Sequence, residues 1–237
     1  MTLEGKDTWF ISAQAYLEKA LATIEETYSK LESLFGKSHM DTPAPTDFHP
    51  EIDNDKTDFL DDDTTTLYQS YIGILRWAVE LGQIDINHFT STMAKFLAAP
   101  RQGHLYAVLR CFAYIKKHLQ SQIIKDSAER NWEHIDWVSK DWSRFYPDIA
   151  RLYGNHGELL PTDMPEARGK PVQINLFCDA AHATDLKTRC STIGFVFLLN
   201  GTPIQWYSKH QNTIEGSTFG SEFVALKIAA DAHDASN

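Results

Sequence analysis

Two carboxylic acids lie in segments whose residue patterns predict rigid secondary structure. Residues 173–179 read QINLFCD, and their rough alternation of apolar and polar side chains predicts a strand with Asp179 at its exit. Glu222 lies in the segment 219–226, which predicts the start of a helix. The residues expected to pack that helix are Phe219, Phe223, Leu226 and Ala230. Because a strand and a helix both fix side-chain direction, Asp179 and Glu222 could form half of a site for a hard cation.

The elements that must position these acids follow in a short series. A loop leads from Asp179 to Arg189, and residues 191–199 then predict a second strand. Asn200 and Gly201 predict a hairpin turn because both residue types tolerate positive φ. Residues 202–209 predict the third strand. The pattern therefore predicts three strands followed by a helix, with the second and third strands antiparallel.

The remainder of the chain predicts helices and one acidic connection. Apolar residues at helical spacing predict an N-terminal helix within residues 1–36, with Ser12 as its N-cap and Gly36 at its end. Residues 37–66 contain prolines and a run of acids, which predicts a solvated linker. Helical periodicity returns at residue 67, so we assign residues 67–170 to a helical region with an irregular aromatic tail and residues 171–237 to the strand-rich unit.

The charge of the chain argues against strong independent binding to nucleic acid. The formal net charge is −10 over 237 residues, and the excess of acids lies before Arg168. From Arg168 onward there are six basic and six acidic residues, without a basic stripe. Phosphate contacts dominate nucleic-acid affinity, so a neutral unit beside an acidic one predicts weak binding.

The sequence also indicates the environment of the chain. No apolar run approaches the length of a membrane span, and the first residues lack the basic and apolar regions of a signal peptide. The three scattered cysteines predict free thiols in a reducing compartment. We therefore expect a protein in a reducing compartment without a membrane partner; the family resemblance described below implies an intracellular, cytoplasmic location.

Four blocks in the C-terminal unit resemble the opening of the ribonuclease H domain in copia-type retrotransposon polyproteins. They are CDAAHATD at 178–185, TRCSTIGFVFL at 188–198, PIQWYSK at 203–209 and STFGSEF at 217–223. Upstream, YQSYIGILRW at 68–77 resembles the segment that follows the polymerase thumb in that family, within the region that connects polymerase to nuclease. The paired-aspartate turn of the polymerase palm is missing from the sequence, so polymerase activity is not expected. The fold class expected is mixed: an α-helical N-terminal region and then a truncated α/β ribonuclease H-like segment, a three-stranded antiparallel start plus a helix.

The resemblance implies a chemistry for the two acids. Family enzymes hold two Mg²⁺ ions with four carboxylates and hydrolyse the RNA strand of an RNA–DNA hybrid. Block matching places Asp179 at the first acid and Glu222 at the second. The third acid belongs to a later block with an Asp-Asn pair that this sequence lacks, and neither Asp231 nor Asp234 lies in such a block. We therefore expect weak Mg²⁺ binding and little or no cleavage by this chain alone. The implied partners are an RNA–DNA hybrid and the rest of the Pol polyprotein.

Other residues near the acids have competing interpretations. Asp179, His182 and Asp185 form a D-x-x-H-x-x-D pattern that could hold a transition metal, although the family pattern favours His182 ordering the loop or lying near substrate. Arg189 and Lys209 could each meet a phosphate or serve only surface solubility. Trp206 could stack on a base, but its position in an I-x-W strand favours core packing.

Three functions stay open at this point. The chain could be a metal-dependent nuclease completed by residues outside it. It could be a non-catalytic, nucleic-acid-binding relic of a mobile element, or a structural protein with a helical N-terminal region. A steep salt dependence of binding to an RNA–DNA hybrid would separate the second from the third, because only phosphate contacts produce it.

Overall fold

Helices and an antiparallel sheet make up the architecture. The computed structural model describes residues 2–3, 6–7, 9–28, 41–53, 56–125, 163 and 172–234. The helices are α1 (Gln14–Thr27), α2 (Pro50–Asp53), α3 (Asp62–Glu80), α4 (Asn87–Met93), α5 (Gln102–Lys117) and α6 (Thr218–Asp234), with 3₁₀ turns at Ile84–Ile86 and Ala94–Phe96. The strands are β1 (Thr2–Leu3), β2 (Lys6–Asp7), β3 (Trp9–Ile11), β4 (Ile123–Lys125), β5 (Ile174–Ala181), β6 (Thr192–Leu199) and β7 (Thr202–His210).

The helices α1, α3, α4 and α5 share one apolar core. Leu17, Leu21 and Ile24 of α1 are buried, as their helical spacing predicts. The rings of Tyr71 and Phe112 meet edge to face with centroids 5.6 Å apart at the contact between α3 and α5. No helix within the described ranges combines the length and the apolar content that crossing a bilayer requires.

Helix α3 begins earlier than the sequence predicts. It starts at Asp62 rather than at residue 67, so the end of the predicted linker is helical. The Asp61 carboxylate caps it by accepting from the Thr64 backbone N–H at 2.8 Å, and Asp62 and Asp63 occupy its first turn. Acids at this end complement the helix dipole. The end of the acidic run is therefore the start of a helix.

Other parts of the predicted linker 37–66 pack against the helices. Glu51 is buried, and the His104 ring contacts the Pro50 carbonyl at 3.3 Å. Arg101 donates to the Thr57 carbonyl at 2.6 Å. These contacts attach parts of the segment to the helices, whereas Asp58, Asp61, Asp62 and Asp63 are exposed. Its assignment as a linker stays a prediction.

Several sequence predictions fall on residues outside the described ranges. These are the expected end of the first helix at Gly36 and nearly all of the aromatic tail at 126–170. The division of the chain at residues 36, 66 and 170 stays a prediction. Residues 9–11, expected only to precede the first helix, form β3 and pair antiparallel with β4.

The three strands β5, β6 and β7 form one antiparallel sheet in that order. Asn200 and Gly201 connect β6 to β7 with φ of 48° and 78°, which confirms the predicted hairpin. Strand β5 continues to Ala181, which pairs with Thr192. Asp179 therefore lies inside the strand and not at its exit, because the ladder with β6 extends two residues further than the alternation indicates.

Helix α6 packs on the sheet through its small residues. Ser221, Ala225 and Ala229 are fully buried, and the two alanines contact Ala180, Ile193, Phe195 and Phe197 of the sheet. The expected packing residues lie on the opposite side: Phe219, Phe223 and Leu226 are 80%, 61% and 52% exposed. The predicted packing face was wrong because apolar residues lie on both sides of α6, so their spacing alone does not select a face. Small residues allow the helix to approach the aromatic side chains of β6 closely.

Enlarging the buried face of α6 should therefore destabilise the fold. We expect Ala225→Leu to lower the free energy of unfolding by about 1–3 kcal/mol, because a close-packed contact has no room for three added carbons. Urea denaturation measures this change. The control Leu226→Ala, on the exposed face, should change it by less than about 0.5 kcal/mol. A larger loss in the control than in Ala225→Leu would contradict this orientation of α6.

Candidate functional site

Asp179 lies on the sheet face opposite α6. Its neighbours in β5, Cys178 and Ala180, pack with Ala229 and Ala225 of α6, and side chains alternate between faces along a strand. Asp179 is exposed and pairs in register with Gly194. It lines a groove of about 660 Å³, called here the β5–β7 groove, which runs over this face towards Ser208.

Glu222 reaches the same region from the α6 side. It is half-buried and is the fifth residue of the helix, directly after Ser221. Burial raises the pKa of the Cys178 thiol, and the carboxylates of Glu222 and Asp179 raise it further. Both carboxylates are therefore within electrostatic range of this one thiol.

The edge of the sheet is the place where these two acids could meet. Among the described strands, β5 pairs only with β6, so its other edge is open. Since Asp179 and α6 lie on opposite faces, a cation shared by both carboxylates would have to sit at this edge. Carboxylate oxygens are the ligands that Mg²⁺ prefers.

A network of buried hydroxyl groups joins the end of β5 to the start of α6. His182 Nδ1 lies 2.8 Å from Ser221 Oγ, which lies 2.8 Å from Ser191 Oγ. Ser191 Oγ accepts from the Ala183 backbone N–H at 3.0 Å, and the Gln211 side chain donates to the Ser221 carbonyl at 2.8 Å. His182 is therefore held against the start of α6 by Ser221.

Asp185 organises the β5–β6 loop (residues 182–191) and attaches it to the helices. It is 6% exposed, accepts from the Lys187 and Thr188 backbone N–H groups, and pairs with Lys95 at 2.8 Å. Burial raises the pKa of Asp185, but the hydrogen bonds from Lys95 and Thr188 and the charge of Lys95 outweigh it and lower the pKa overall. A second attachment joins the Leu186 N–H to the Glu51 carboxylate at 3.1 Å.

The D-x-x-H-x-x-D pattern does not form a metal cluster. Asp185 is bound to Lys95, His182 contacts Ser221, and Asp179 lies on the open face. Within the described ranges no three His, Cys, Asp or Glu side chains converge as potential metal ligands.

The remaining predicted site residues lie away from Asp179. Arg189 is exposed, with a left-handed φ of 59°, at the end of the β5–β6 loop. Lys209 is exposed on β7, the far edge of the sheet. Trp206 packs against the helical core, which confirms the packing interpretation.

Lys95, Ser191 and Ser221 are the site residues that sequence reasoning missed. Their partners are distant along the chain: Lys95 and Asp185 are 90 residues apart, and Ser191 and Ser221 are 30 apart. No local pattern marks such pairs. The one sequence signal is that Ser221 immediately precedes Glu222.

Comparison with known proteins finds relatives among mobile-element proteins. The chain is 24% identical over 158 residues to the retrovirus-related Pol polyprotein from transposon TNT 1-94 of Nicotiana tabacum, covering 67% of the chain. It is 26% identical over 144 residues to the putative transposon Ty5-1 protein YCL074W of Saccharomyces cerevisiae, covering 61% of the chain. These similarities identify the chain as retrotransposon-derived.

A third relative is shorter and more similar. The secreted RxLR effector protein 161 of Plasmopara viticola is 42% identical over 109 residues, which is 46% of this chain and 67% of that protein. The chain spans only 9% of the tobacco polyprotein and 33% of the yeast protein. No family model matches the chain. No solved structure matches it either.

The ion pair of Asp185 should make stability depend on pH. Its pKa is lower in the folded chain than the unfolded value of about 3.9, so its contribution is complete above about pH 4 and is lost as the pH falls below that value. We expect Asp185→Asn to lower the free energy of unfolding at pH 7 by about 2 kcal/mol. Urea denaturation from pH 7 to pH 2 should show this difference shrinking in acid. A difference that is constant over this range would show that the charge of Asp185 is not its source.

Removing the Ser221 hydroxyl should weaken the hydrogen-bonded connection between β5 and α6. Ser221→Ala leaves His182 and Ser191 without this partner, and we expect a loss of about 1–3 kcal/mol in the free energy of unfolding. The His182 ring signals in NMR spectra should shift as well. Thr213→Ala, which removes an exposed hydroxyl nearby, serves as the control and should change stability by less than about 0.5 kcal/mol. Equal effects of the two changes would contradict a special role for Ser221.

Proposed function

Since this chain belongs to the same family as the Plasmopara viticola protein and is retrotransposon-derived, we propose that it is a piece of a copia-type reverse transcriptase polyprotein. Its helices correspond in this proposal to the connection region, and the sheet with α6 corresponds to the first half of a ribonuclease H domain. The order of β5, β6, β7 and α6 supports this assignment, since it is the order in which that fold begins.

The proposed chemistry is Mg²⁺ binding at the edge of β5, with an RNA–DNA hybrid as the family's substrate. The observation that carries it is the placement of Asp179 on β5 and of Glu222 near the start of α6, the helix that packs on β5 through Cys178 and Ala180. Besides burial, the charges of both acids also raise the pKa of the Cys178 thiol. A bound Mg²⁺ would activate water and stabilise charge at the scissile phosphate. Two carboxylates supply half of the ligands that the family uses, so we propose weak binding and little hydrolysis by this chain alone.

The positions of the other residues limit their roles in this proposal. His182, held by Ser221, is a positioning residue that keeps the loop after Asp179 in place. Arg189 and Lys209 are exposed cations at the loop and at β7, where each could meet a phosphate of a bound strand. The remainder of the polyprotein is the partner that would supply further carboxylates.

A Mg²⁺ titration followed by NMR tests the proposal. Amide signals near Asp179 and near Glu222 should shift together and with the same midpoint. Asp179→Asn should abolish both sets of shifts. The matched control is Asp231→Asn, which removes another exposed carboxylate from α6 and should leave the shifts unchanged.

The same protein should be assayed on a labelled RNA–DNA hybrid. We expect cleavage no greater than the background without protein. Cleavage that Asp179→Asn abolishes would refute the expected inactivity of the chain and establish a nuclease. In the NMR titration, Mg²⁺-induced shifts near only one of the two acids, or near neither, would refute the shared metal site.

A further inference from the structure

Helix α6 carries a row of apolar residues on the side that faces away from the sheet. Phe219, Phe223, Leu226 and Ala230 follow one another at intervals of four, three and four residues, and all four are exposed. This spacing places the four side chains in one row along the helix, and it is the a/d repeat of helices that pair in coiled coils. We call this row the α6 stripe.

The exposed area of the α6 stripe is comparable to that of interaction patches on other proteins. Phe219 is 80% exposed and Phe223 is 61% exposed. At about 200 Å² for a phenylalanine side chain, these two residues alone leave about 280 Å² of apolar surface open. Leu226, which is 52% exposed, and Ala230 extend the patch along the helix. Apolar patches of about 300–600 Å² often have a function, so the stripe is a candidate interface.

Two opposite charges flank the α6 stripe. Glu222 directly precedes Phe223 and Lys227 directly follows Leu226, so the two charges lie on opposite sides of the row. Among the described residues, neither Glu222 nor Lys227 takes part in an ion pair. In the heptad that the stripe defines, Glu222 occupies a g position and Lys227 the next e position. Residues at e and g form the salt bridges that set partner choice and orientation in helix pairs.

The order of these charges favours a second copy of the same helix in parallel orientation. In a parallel, in-register pair, each g residue faces the e residue five positions later in the other helix, so Glu222 meets the partner's Lys227 on both sides of the row. In an antiparallel pair the apolar residues also match, but g faces g and e faces e. Glutamate would then face glutamate and lysine would face lysine, which is unfavourable.

The net charge of the chain does not oppose contact at this surface. The chain carries a net charge of −10, but from Arg168 onward it has six basic and six acidic residues. Helix α6 belongs to this neutral part. Charges further away than about 8 Å are largely screened at physiological salt, so the acidic N-terminal part adds little repulsion.

We propose that the α6 stripe is a dimer interface between two copies of this chain, with the two α6 helices parallel and in register. Each apolar residue packs against its own copy, and two Glu222–Lys227 pairs, related by the two-fold axis, flank the row. Each copy contributes one face of one helix, which is less than the roughly 1,200 Å² in total that stable complexes bury, so we expect a dissociation constant of about 10–100 µM. This dimer depends neither on Mg²⁺ nor on the proposed function.

Sedimentation equilibrium of the full chain, with a chelator present, tests the proposal. Between about 1 and 500 µM, the average mass should rise from that of one chain towards that of two. Phe223→Ser removes the central apolar side chain and should weaken the dimer at least about tenfold. Because Phe223 is exposed, the thermal melting curve of this variant should match that of the parent chain.

The matched control for Phe223→Ser is Ile204→Ser. It removes another exposed apolar side chain, from β7 at the opposite edge of the sheet, and should leave dimerisation unchanged. A chain that stays monomeric at the highest concentration would overturn the proposal. So would a dimer that Phe223→Ser does not weaken, or one that Ile204→Ser weakens equally.

Reversing a charge tests the pairing of Glu222 with Lys227. Lys227→Glu places like charges together on both sides of the row and should weaken the dimer about tenfold. Adding Glu222→Lys to this variant restores opposite charges and should recover most of the affinity. Lys209→Glu makes the same change at an exposed position on β7 and serves as the control. Equal losses from Lys227→Glu and Lys209→Glu would overturn the charge pairing and the orientation inferred from it.

Cysteine cross-linking tests the parallel orientation directly. A parallel, in-register pair brings residue 230 of the two helices together, whereas an antiparallel pair separates them by about 16 Å along the helix axis. Ala230→Cys should therefore give a disulfide-linked dimer under mild oxidation. Asp231→Cys carries the same native cysteines but lies off the row, and it should cross-link no more than the parent chain. Cross-linking of both variants alike, or of neither, would overturn the parallel arrangement.

Discussion

The buried contact of Ser221 with His182 and Ser191 is the constraint on which the candidate site depends. It joins the turn after β5 to the first turns of α6, and so restricts the position of Glu222 relative to Asp179. All three groups are polar, and Ser191 and Ser221 are fully buried. Buried hydroxyls are stable only when they bond to one another or to the backbone, so this set of partners restricts the loop to one arrangement.

A second set of polar contacts couples the sheet to the helices. Asp185 and the Leu186 N–H of the β5–β6 loop bind Lys95 and Glu51, which belong to the helical unit. The loop beside Asp179 is therefore shaped by residues from both units. Because Asp185 is buried, removing Lys95 would leave an uncompensated charge, which is more costly than the pair is favourable. Glu51 is also buried, so losing the Leu186 N–H would leave its carboxylate short of a hydrogen bond.

Small and large apolar residues occupy opposite sides of helix α6. Its alanines face the sheet, while Phe219, Phe223 and Leu226 face outward. Close approach brings Glu222 near Cys178, and bulky residues on that face would hold the helix further away. The exposed aromatic residues leave α6 with a second apolar surface, larger than single exposed hydrophobic residues usually provide.

The sequence by itself determined the local elements: three strands, the Asn200–Gly201 hairpin and a helix after them, because alternation, turn chemistry and helical spacing are encoded over a few residues. It also singled out Asp179 and Glu222 through ordered blocks of residue types. It did not determine which face of α6 is buried, since both faces are apolar. Nor did it show that Asp179 points away from α6, because that depends on the register of β5 with β6. The Lys95–Asp185 pair and the hydroxyl network arise only when distant segments come together, so tertiary structure alone decided them.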